Sequence, residues 1–332
     1  MKRLFSIIST MFLMACMLFV AGCDPLGTPQ KPTGDDFVYE LSADGKYIYF
    51  GEYPQTIKAN NVSISGSPDQ DGYYHGSDGA RYAKVTLDIL TSFGENPDYV
   101  YENDLTLTSR GSEMLDGQTY YFKVEKLKWR ILEEKDGSFL IICESAVDTS
   151  VFQDSICGDD GSGWYVSDGQ GGVLQQDGKD VDANNYEYST LRTFLNGDFC
   201  DKSFSQKQKD MIILTTLDNS KDGSIGDIDF FGCKDTEDYI FPLSYDEIHK
   251  EEYGYIFDYF DGDQPLNYAK ATDYAKSKGC WSYYEDGYES ADVFLRTGIV
   301  LNSYAAAYGF GGTFASAVYS INGVQPALWL KL

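Results

Sequence analysis

Two short, largely apolar runs set the strongest limit on what this chain can fold into. Residues 138–144, Ser-Phe-Leu-Ile-Ile-Cys-Glu, follow the turn-forming pair Asp136-Gly137. A short apolar run bounded in this way is typical of a central strand. The second run, Val324 to Leu330, is too hydrophobic to stay exposed at a chain end. We therefore expect a sheet that the last residues of the chain help to complete.

Local signals elsewhere predict further strands and capped helices. Tyr47–Phe50 is strand-like, and we expect Pro54 to end that strand because proline lacks the N–H that a strand ladder needs. Ser189 precedes a helical apolar pattern and can cap it. Ser244 is followed three residues later by Glu247, which predicts a capping box. The mixture predicts an α+β fold.

The N-terminal residues have the organisation of an export signal. Lys2 and Arg3 precede an uncharged apolar stretch of about 17 residues, which Gly22-Cys23 closes. This end resembles a bacterial lipobox, and the resemblance implies cleavage before Cys23 and lipidation of that cysteine. A membrane anchor that is not cleaved is the alternative, since about 17 residues is the lower limit for a spanning helix.

The remaining chain divides into a tether and a globular part. Residues 23–36 contain three prolines and no apolar period, which indicates a flexible tether. The polar, Gly/Asn/Asp-rich stretch that begins near residue 56 is weakly patterned. We therefore predict a signal peptide at 1–22, a tether at 23–36 and a single α+β domain at 37–332, with a loop-rich insertion at about 56–120.

Composition excludes several classes of function. The chain has 26 Lys and Arg against 52 Asp and Glu, a formal net charge of −26, and removal of Lys2 and Arg3 makes the balance 24 − 52 = −28. Such a surface repels nucleic acid and anionic lipid headgroups. Membrane attachment would therefore rest on acyl chains at Cys23. The protein would then lie on the extracytoplasmic side of the cell membrane or outer membrane.

Cysteine and histidine usage also limits the chemistry. Five cysteines remain after Cys16 and Cys23, and they show no Cys-x-x-Cys spacing. One disulfide or a set of buried free thiols both fit this count. The two histidines, His75 and His249, exclude a multi-histidine metal centre. We interpret both as ordinary surface residues, and no catalytic residue is predicted.

A series of short motifs runs through the chain in order. They are Phe50-Gly-Glu-Tyr-Pro-Gln55, Trp129-Arg-Ile-Leu132, Tyr188-Ser-Thr-Leu-Arg-Thr-Phe-Leu-Asn-Gly197, Phe241-Pro-Leu-Ser244, Phe294-Leu-Arg-Thr-Gly298 and Gly323-Val-Gln-Pro-Ala-Leu-Trp-Leu330. Together they resemble domain-of-unknown-function family 6273, over roughly residues 47–332. That family is in turn similar to the C-type-lectin-like fold shared with formylglycine-generating enzymes.

The resemblance implies a fold and supplies little chemistry. It implies a twisted antiparallel sheet with flanking helices and long loops, whose N- and C-terminal strands meet. Gln325 departs from the arginine usual in the family, which puts a charge role there in doubt. Formylglycine-generating enzymes resemble one another in a late cysteine pair, whereas Cys280 alone lies in the final 90 residues here. We therefore do not expect that activity.

One acidic segment has the spacing of a calcium-binding loop. Oxygen-bearing side chains, an early glycine and a final acid follow the positions that such a loop uses. The candidate metal ligands are Asp218, Ser220, Asp222, Ser224 and Asp229. The preceding strand-like segment and the short final Asp argue against calcium, so an acidic hairpin loop is the alternative. No other cofactor is expected.

Aromatic residues of the C-terminal part are the candidate ligand-binding residues, because flat rings with polar tips suit sugars and protein partners. The candidates are Trp281, Tyr283, Tyr284, Tyr304, Tyr308 and Phe310, with Arg296 as a polar anchor. Ordinary packing at a sheet edge is the alternative for the aromatic residues. A structural ion pair is the alternative for Arg296.

These features favour an exported, lipid-anchored binding module without enzymatic activity, whose ligand is a glycan or a surface protein. A secreted hydrolase acting on glycans is one alternative, and a structural or assembly lipoprotein is another. A hydrolase should show two convergent carboxylates in a deep cleft. A binding module should show an aromatic shelf instead.

Overall fold

The computed structural model describes residues 37–158, 163–219, 223–225, 228–255, 268–285, 288–299, 301–309 and 312–332. The predicted signal peptide, Cys23 and the whole predicted tether lie outside these residues. Residues 38–332 form one compact unit. None of the helices within the described ranges is long and apolar enough to cross a membrane.

The described chain is a sheet-rich α+β structure with short helices. Its strands are β1 (Tyr39–Leu41), β2 (Tyr47–Ile57), β3 (Ile64–Ser65), β4 (Tyr74–Gly76), β5 (Arg81–Thr86), β6 (Thr119–Lys135), β7 (Ser138–Cys143), β8 (Ser145–Ala146), β9 (Asp148–Ser150), β10 (Ile156–Cys157), β11 (Tyr165–Val166), β12 (Gln175–Gln176), β13 (Lys179–Asp180), β14 (Ile212–Ile213), β15 (Thr215–Leu217), β16 (Ser224–Ile225), β17 (Ile228–Phe231), β18 (Thr236–Asp238), β19 (Lys270–Ala271), β20 (Ser282–Glu285), β21 (Tyr288–Ala291), β22 (Val293–Ile299), β23 (Tyr304–Gly309), β24 (Gly312–Ala317), β25 (Asn322–Val324) and β26 (Ala327–Lys331). Its α-helices are α1 (Ile89–Phe93), α2 (Pro97–Glu102), α3 (Thr190–Phe194), α4 (Cys200–Ser203), α5 (Gln206–Lys209), α6 (Tyr245–Ile248) and α7 (Asp273–Ser277). Single turns of 3₁₀ helix occupy Tyr186–Tyr188 and Glu251–Tyr253, and a π-helical turn spans Leu195–Phe199.

The larger sheet confirms the prediction made for the C-terminal run. Its strand order is β14-β26-β7-β6-β5-β4-β3, and β2 pairs with the other side of β6. The last strand, β26, lies antiparallel to the apolar strand β7. The N-terminal strands β1 and β2 share this sheet with the last strand, β26. Strands β6 and β7 lie between β2 and β26, so the N- and C-terminal strands do not meet as the resemblance implied.

The prediction that Pro54 ends the first long strand was wrong. Strand β2 continues to Ile57, and two irregularities in its pairing with β6, at Tyr49/Glu52 and at Pro54/Thr56, absorb the proline. Gly51 occupies the first irregularity with φ +74°, and a Cβ there would lie 2.5 Å from the Phe204 ring. Glycine therefore allows β2 to bend against the core.

The polar stretch between β2 and β6 has an apolar cluster of its own. It contains β3 to β5 and the short helices α1 and α2, which Asp88 and Asn96 cap with their side chains. The buried residues of the cluster are Ile57, Leu87, Ile89, Phe93, Val100, Leu105, Met114 and Phe122. Tyr274 and Trp281 from the C-terminal part pack against this cluster.

The second large sheet contains a bulge in β22 at the buried residue Arg296. Its order is β16-β17-β22-β23-β24, with β25 parallel to the start of β22. Phe294 pairs with Ala307 and Gly298 pairs with Ala305, so three residues of β22 oppose one residue of β23. Arg296 is the middle residue of that bulge. Bulges of this kind re-aim side chains. The Arg296 guanidinium forms hydrogen bonds with Asn219, Pro242 and Glu247.

The predicted helix starts agree with the structure. Ser189 accepts a hydrogen bond from the Arg192 N–H at the start of α3. Ser244 and Glu247 form a reciprocal capping box at the start of α6. Helix α6 therefore holds the Glu247 carboxylate in a fixed position, on the side where the β22 bulge presents Arg296.

Candidate functional site

A pocket of about 390 Å³ lies where α1 approaches β24 and the residue before β22. We call it the aromatic pocket. Its lining residues are Thr91, Phe93, Gly94, Trp281, Asp292, Phe314, Ser316, Tyr319, Ser320, Ile321 and Asn322. The pocket thus joins the stretch between β2 and β6 to the C-terminal sheet.

Half-buried aromatic rings form one wall of this pocket. The Trp281 ring lies 6.0 Å from that of Tyr99 and 6.1 Å from that of Tyr283, measured between centroids. Phe314 is half-buried and Tyr319 is exposed on the β24 side. Of the predicted residues, Trp281 therefore lines the pocket, and Tyr283 lies next to Trp281 but outside the lining.

Asp292 is the carboxyl group among the described lining residues, and the sequence analysis did not single it out. Its backbone is fixed on both sides, since its N–H donates to Trp281 O and its C=O accepts from Gly323 N–H. Within the described part of the chain, its carboxylate makes no hydrogen bond and no ion pair. Burial raises the pKa of Asp292 from 3.8 to about 7.

Polar groups next to Asp292 complete the pocket. Asn322 and Ser316 are nearly buried, and the Asn322 amide donates a 2.9 Å hydrogen bond to the Ser316 hydroxyl. A carboxyl that titrates near neutral pH, an amide and a hydroxyl therefore lie beside apolar rings. This combination can hold a hydroxyl-rich ligand through hydrogen bonds on one side and ring contacts on the other.

Two further predicted aromatic residues, Tyr304 and Tyr308, also lie outside the pocket lining. Tyr308 is 1% exposed, its hydroxyl donates to Gln325, and its ring packs edge-on against Tyr255. The structure therefore corrects its assignment as a ligand-binding residue, since it lies in the core. Tyr304 is half-buried on β23 and packs against the main core. The Tyr284 side chain and Phe310 lie outside the described residues.

Arg296 lies in a different cavity and forms an ion pair. It is 5% exposed, and its guanidinium binds both carboxylate oxygens of Glu247, with Nη2 at 3.0 Å from Oε1. Its Nε donates to Asn219 Oδ1 and its Nη1 to Pro242 O. Burial is the largest influence and would raise the pKa of Glu247, but the charge and hydrogen bonds of Arg296, the Ser244 N–H and the Lys250 charge together hold that pKa below its usual value. Arg296 therefore forms the structural ion pair that the sequence analysis gave as the alternative to a role in ligand binding.

The space beside this ion pair is a cavity of about 230 Å³, which we call the Arg296 cavity. Its lining residues are Asn184, Tyr186, Asp218, Asn219, Phe231, Cys233, Ser244, Asp246, Glu247, Lys250, Arg296, Thr297 and Gly298. The two linings share no described residue.

The candidate calcium loop includes a hairpin. Strands β16 and β17 pair antiparallel, and Ser224 lies opposite Asp229. Asp218 lines the Arg296 cavity instead. Ser220 and Asp222 lie outside the described residues. The part of the chain that the structure describes contains no group of three His, Cys, Asp or Glu placed to hold a metal ion.

The five cysteines of the globular part are free thiols. Burial raises the pKa of Cys143 to about 12, so this thiol stays protonated near neutral pH. His75 is exposed beside Asp69, and His249 is exposed and stacks on the Tyr245 ring. Neither histidine lines the aromatic pocket or the Arg296 cavity.

Comparison with known proteins identifies the family. Residues 165–332, which are 168 of the 332 residues, match a family described as a domain of unknown function, DUF6273. The chain belongs to this family. No curated protein and no solved structure matches the chain, so the C-type-lectin-like resemblance stays a prediction. The matched region contains the whole Arg296 cavity lining, whereas Thr91, Phe93 and Gly94 of the aromatic pocket lie before it.

Proposed function

We propose that this protein is a binding module whose ligand is a glycan, held in the aromatic pocket. The observation that carries the proposal is the unpaired Asp292 carboxyl beside the Trp281 ring. Aromatic faces bind the apolar faces of sugar rings, and a carboxyl with a nearby amide binds sugar hydroxyls. The C-type-lectin-like resemblance is consistent with this ligand class, although fold likeness alone is a weak argument for function.

Two observations favour binding over hydrolysis. Glycoside hydrolysis uses two carboxyl groups on either side of the scissile bond. Asp292 has no second carboxyl beside it among the described lining residues of its pocket. Three carboxyl groups line the Arg296 cavity, those of Asp218, Asp246 and Glu247. Arg296 binds both oxygens of Glu247, so Glu247 is not free to act as an acid or base.

We further propose that the module is exported and anchored by lipid on Cys23, with no part in nucleic-acid binding. The uncharged run after Lys2 and Arg3 and the net charge of −26 support this placement. Labelling of the expressed chain with radioactive palmitate tests it. Label is expected on the natural chain and absent from Cys23→Ser. An intact N-terminal methionine without label would contradict the proposal.

A glycan array tests the proposed ligand class. The soluble chain 24–332 suits this experiment, because the compact unit 38–332 contains the pocket and its supporting core. We expect binding to a restricted set of glycans, lost in Trp281→Ala and at least tenfold weaker in the isosteric Asp292→Asn. Tyr39→Ala, which removes an exposed ring on β1, is the matched control and should bind normally.

Two outcomes of the array would change the proposal. No binding to any glycan would contradict it and favour the assembly role. Binding that disappears when calcium is chelated would support an additional calcium site at residues 218–229. Melting temperatures of the variants, measured alongside, separate a lost contact from a lost fold.

A further inference from the structure

The aromatic pocket has an anion in its lining but no cation. Asp292 is half-buried there, so part of it stays accessible to a ligand in the pocket. The described lining residues include no Lys, Arg or His, and no cation pairs with the Asp292 carboxylate among the residues that the structure describes. A carboxylate that is shielded from water without a counterion is costly, and a bound cation removes that cost.

The rest of the chain offers few cations that could pair with Asp292. The charge of Lys276 acts on Cys280, as the charge of Asp292 does, but the Lys276 ammonium lies 2.6 Å from Glu289 Oε1 and is paired there. Among the internal residues outside the described ranges, the sequence contains one cation, Lys221. A ligand is therefore the source of a counterion that this pocket favours.

The Asp292 carboxylate is held in a fixed position before any ligand binds. Its backbone N–H donates to Trp281 O at 3.1 Å, and its C=O accepts from the Gly323 N–H at 2.7 Å. A Cβ at Gly309 would overlap Asp292 Oδ1, so the carboxylate packs directly against the backbone of that glycine. An anion that is already ordered loses little conformational entropy when it binds a cation.

The other features of the pocket also suit a cation that is attached to a sugar. The rings of Trp281, Phe314 and Tyr319 are in the lining, and the faces of aromatic rings attract cations within about 6 Å, tryptophan most strongly. The volume of about 390 Å³ corresponds to about 13 water molecules at bulk density. This is enough room for a sugar ring with a short substituent.

We infer that the glycan bound in the aromatic pocket carries a protonated amine, whose ammonium group pairs with the Asp292 carboxylate while the sugar ring packs on Trp281. This inference rests on the proposed function, since it names the class of glycan. An ammonium group binds a carboxylate more strongly than a neutral hydroxyl does, because both partners of the hydrogen bond are charged. The net charge of −26 further favours a cationic ligand over an anionic one.

Three small probes separate the contribution of the amine from that of the sugar. 2-Aminoethyl β-D-glucopyranoside and 2-hydroxyethyl β-D-glucopyranoside share the sugar and the arm and differ in the charge at the end of the arm. Ethanolamine has the charge without the sugar. Each is titrated calorimetrically into the 24–332 chain at pH 7.5. We expect the aminoethyl glucoside to bind at least tenfold more tightly than either of the other two probes.

Two variants assign the preference for the amine to one carboxyl group. Asp292→Asn keeps the shape of the side chain and should bind the two glucosides with equal affinity. Asp98→Asn removes the same charge at an exposed position on α2, outside the pocket lining, and should keep the preference of the natural chain. Melting temperatures of both variants show whether each is folded under the conditions of the titration.

The possible results distinguish a failure of this inference from a failure of the proposed function. Equal binding of the two glucosides by the natural chain, or a preference that persists in Asp292→Asn, would overturn the amine and leave the glycan proposal intact. Ethanolamine that binds as tightly as the aminoethyl glucoside would overturn both, because the sugar would then contribute nothing. Binding of neither glucoside would overturn the inference, and the glycan array decides the proposed function separately.

Discussion

The carboxylate of Asp273 holds Ser109 through two hydrogen bonds. Its Oδ1 accepts from the Ser109 backbone N–H at 2.7 Å, and its Oδ2 accepts from the Ser109 hydroxyl at 2.7 Å. The same carboxylate accepts from the Ile57 N–H at 2.8 Å. Asp273 is the first residue of α7, so this helix fastens the stretch between β2 and β6 to the body that carries the aromatic pocket.

We expect Asp273→Ala to destabilise the protein by about 3 kcal/mol. The side chain is 3% exposed, and its loss leaves two backbone N–H groups without the acceptor they now have. Urea unfolding of the two chains measures the difference. Asp201→Ala, at an exposed acid, is the control. A change below about 0.5 kcal/mol for Asp273→Ala would show that the contact does not fasten this region.

The parts of the fold that sequence predicted are those that local pattern determines. The apolar run at 138–144 became β7, and the caps at Ser189 and Ser244 lie where helices begin. The prediction that Pro54 ends its strand was wrong because a bulge in the pairing with β6 accommodates the proline. A bulge depends on the partner strand, which the local sequence does not reveal. The apolar cluster between β2 and β6 was not foreseen, because its members come together only through contacts distant in sequence.

The same limit applies to the candidate site. Trp281, which lines the aromatic pocket, could be proposed from residue type and neighbourhood alone. Asp292 could not, because one acid among 52 becomes distinctive only when burial in the folded chain raises its pKa. The assignment of Tyr308 as a ligand-binding residue was based on residue type. Residue type does not distinguish a buried core tyrosine, which Tyr308 is, from one on the surface.

Glu247→Gln should cost about 3 kcal/mol of stability. The substitution keeps the shape of the side chain but leaves the Arg296 charge buried without its counterion. Chemical unfolding at pH 7 measures the loss, with Glu251→Gln at an exposed position as the matched control. The double variant Glu247→Gln/Arg296→Met should recover part of the loss. Unchanged stability of the single variant would contradict the ion-pair geometry.

Asp292 should lower stability as the pH rises. Its folded-state pKa is about 7 against an ordinary value of 3.8, so the folded state binds more protons between these two values. The stability that the protonated group contributes is complete below about pH 3.8 and is lost as the pH approaches 7. Asp292→Asn should therefore be more stable than the natural chain at pH 8, by up to about 4 kcal/mol, and equal to it near pH 4. If the free energies of unfolding of the two chains changed with pH in the same way, the raised pKa of Asp292 would be excluded.

Glycan binding at the aromatic pocket should tighten between pH 6 and pH 8. Sugar hydroxyls that donate to the Asp292 carboxylate stabilise its charged form, so binding lowers the pKa of Asp292 and releases a proton. Calorimetry in two buffers of different ionisation enthalpy measures that proton, using a glycan found on the array. Asp292→Asn should bind with an affinity that does not change across this range and should release no proton. A natural chain that binds equally at both pH values would show that Asp292 does not contact the ligand, even where Trp281 does.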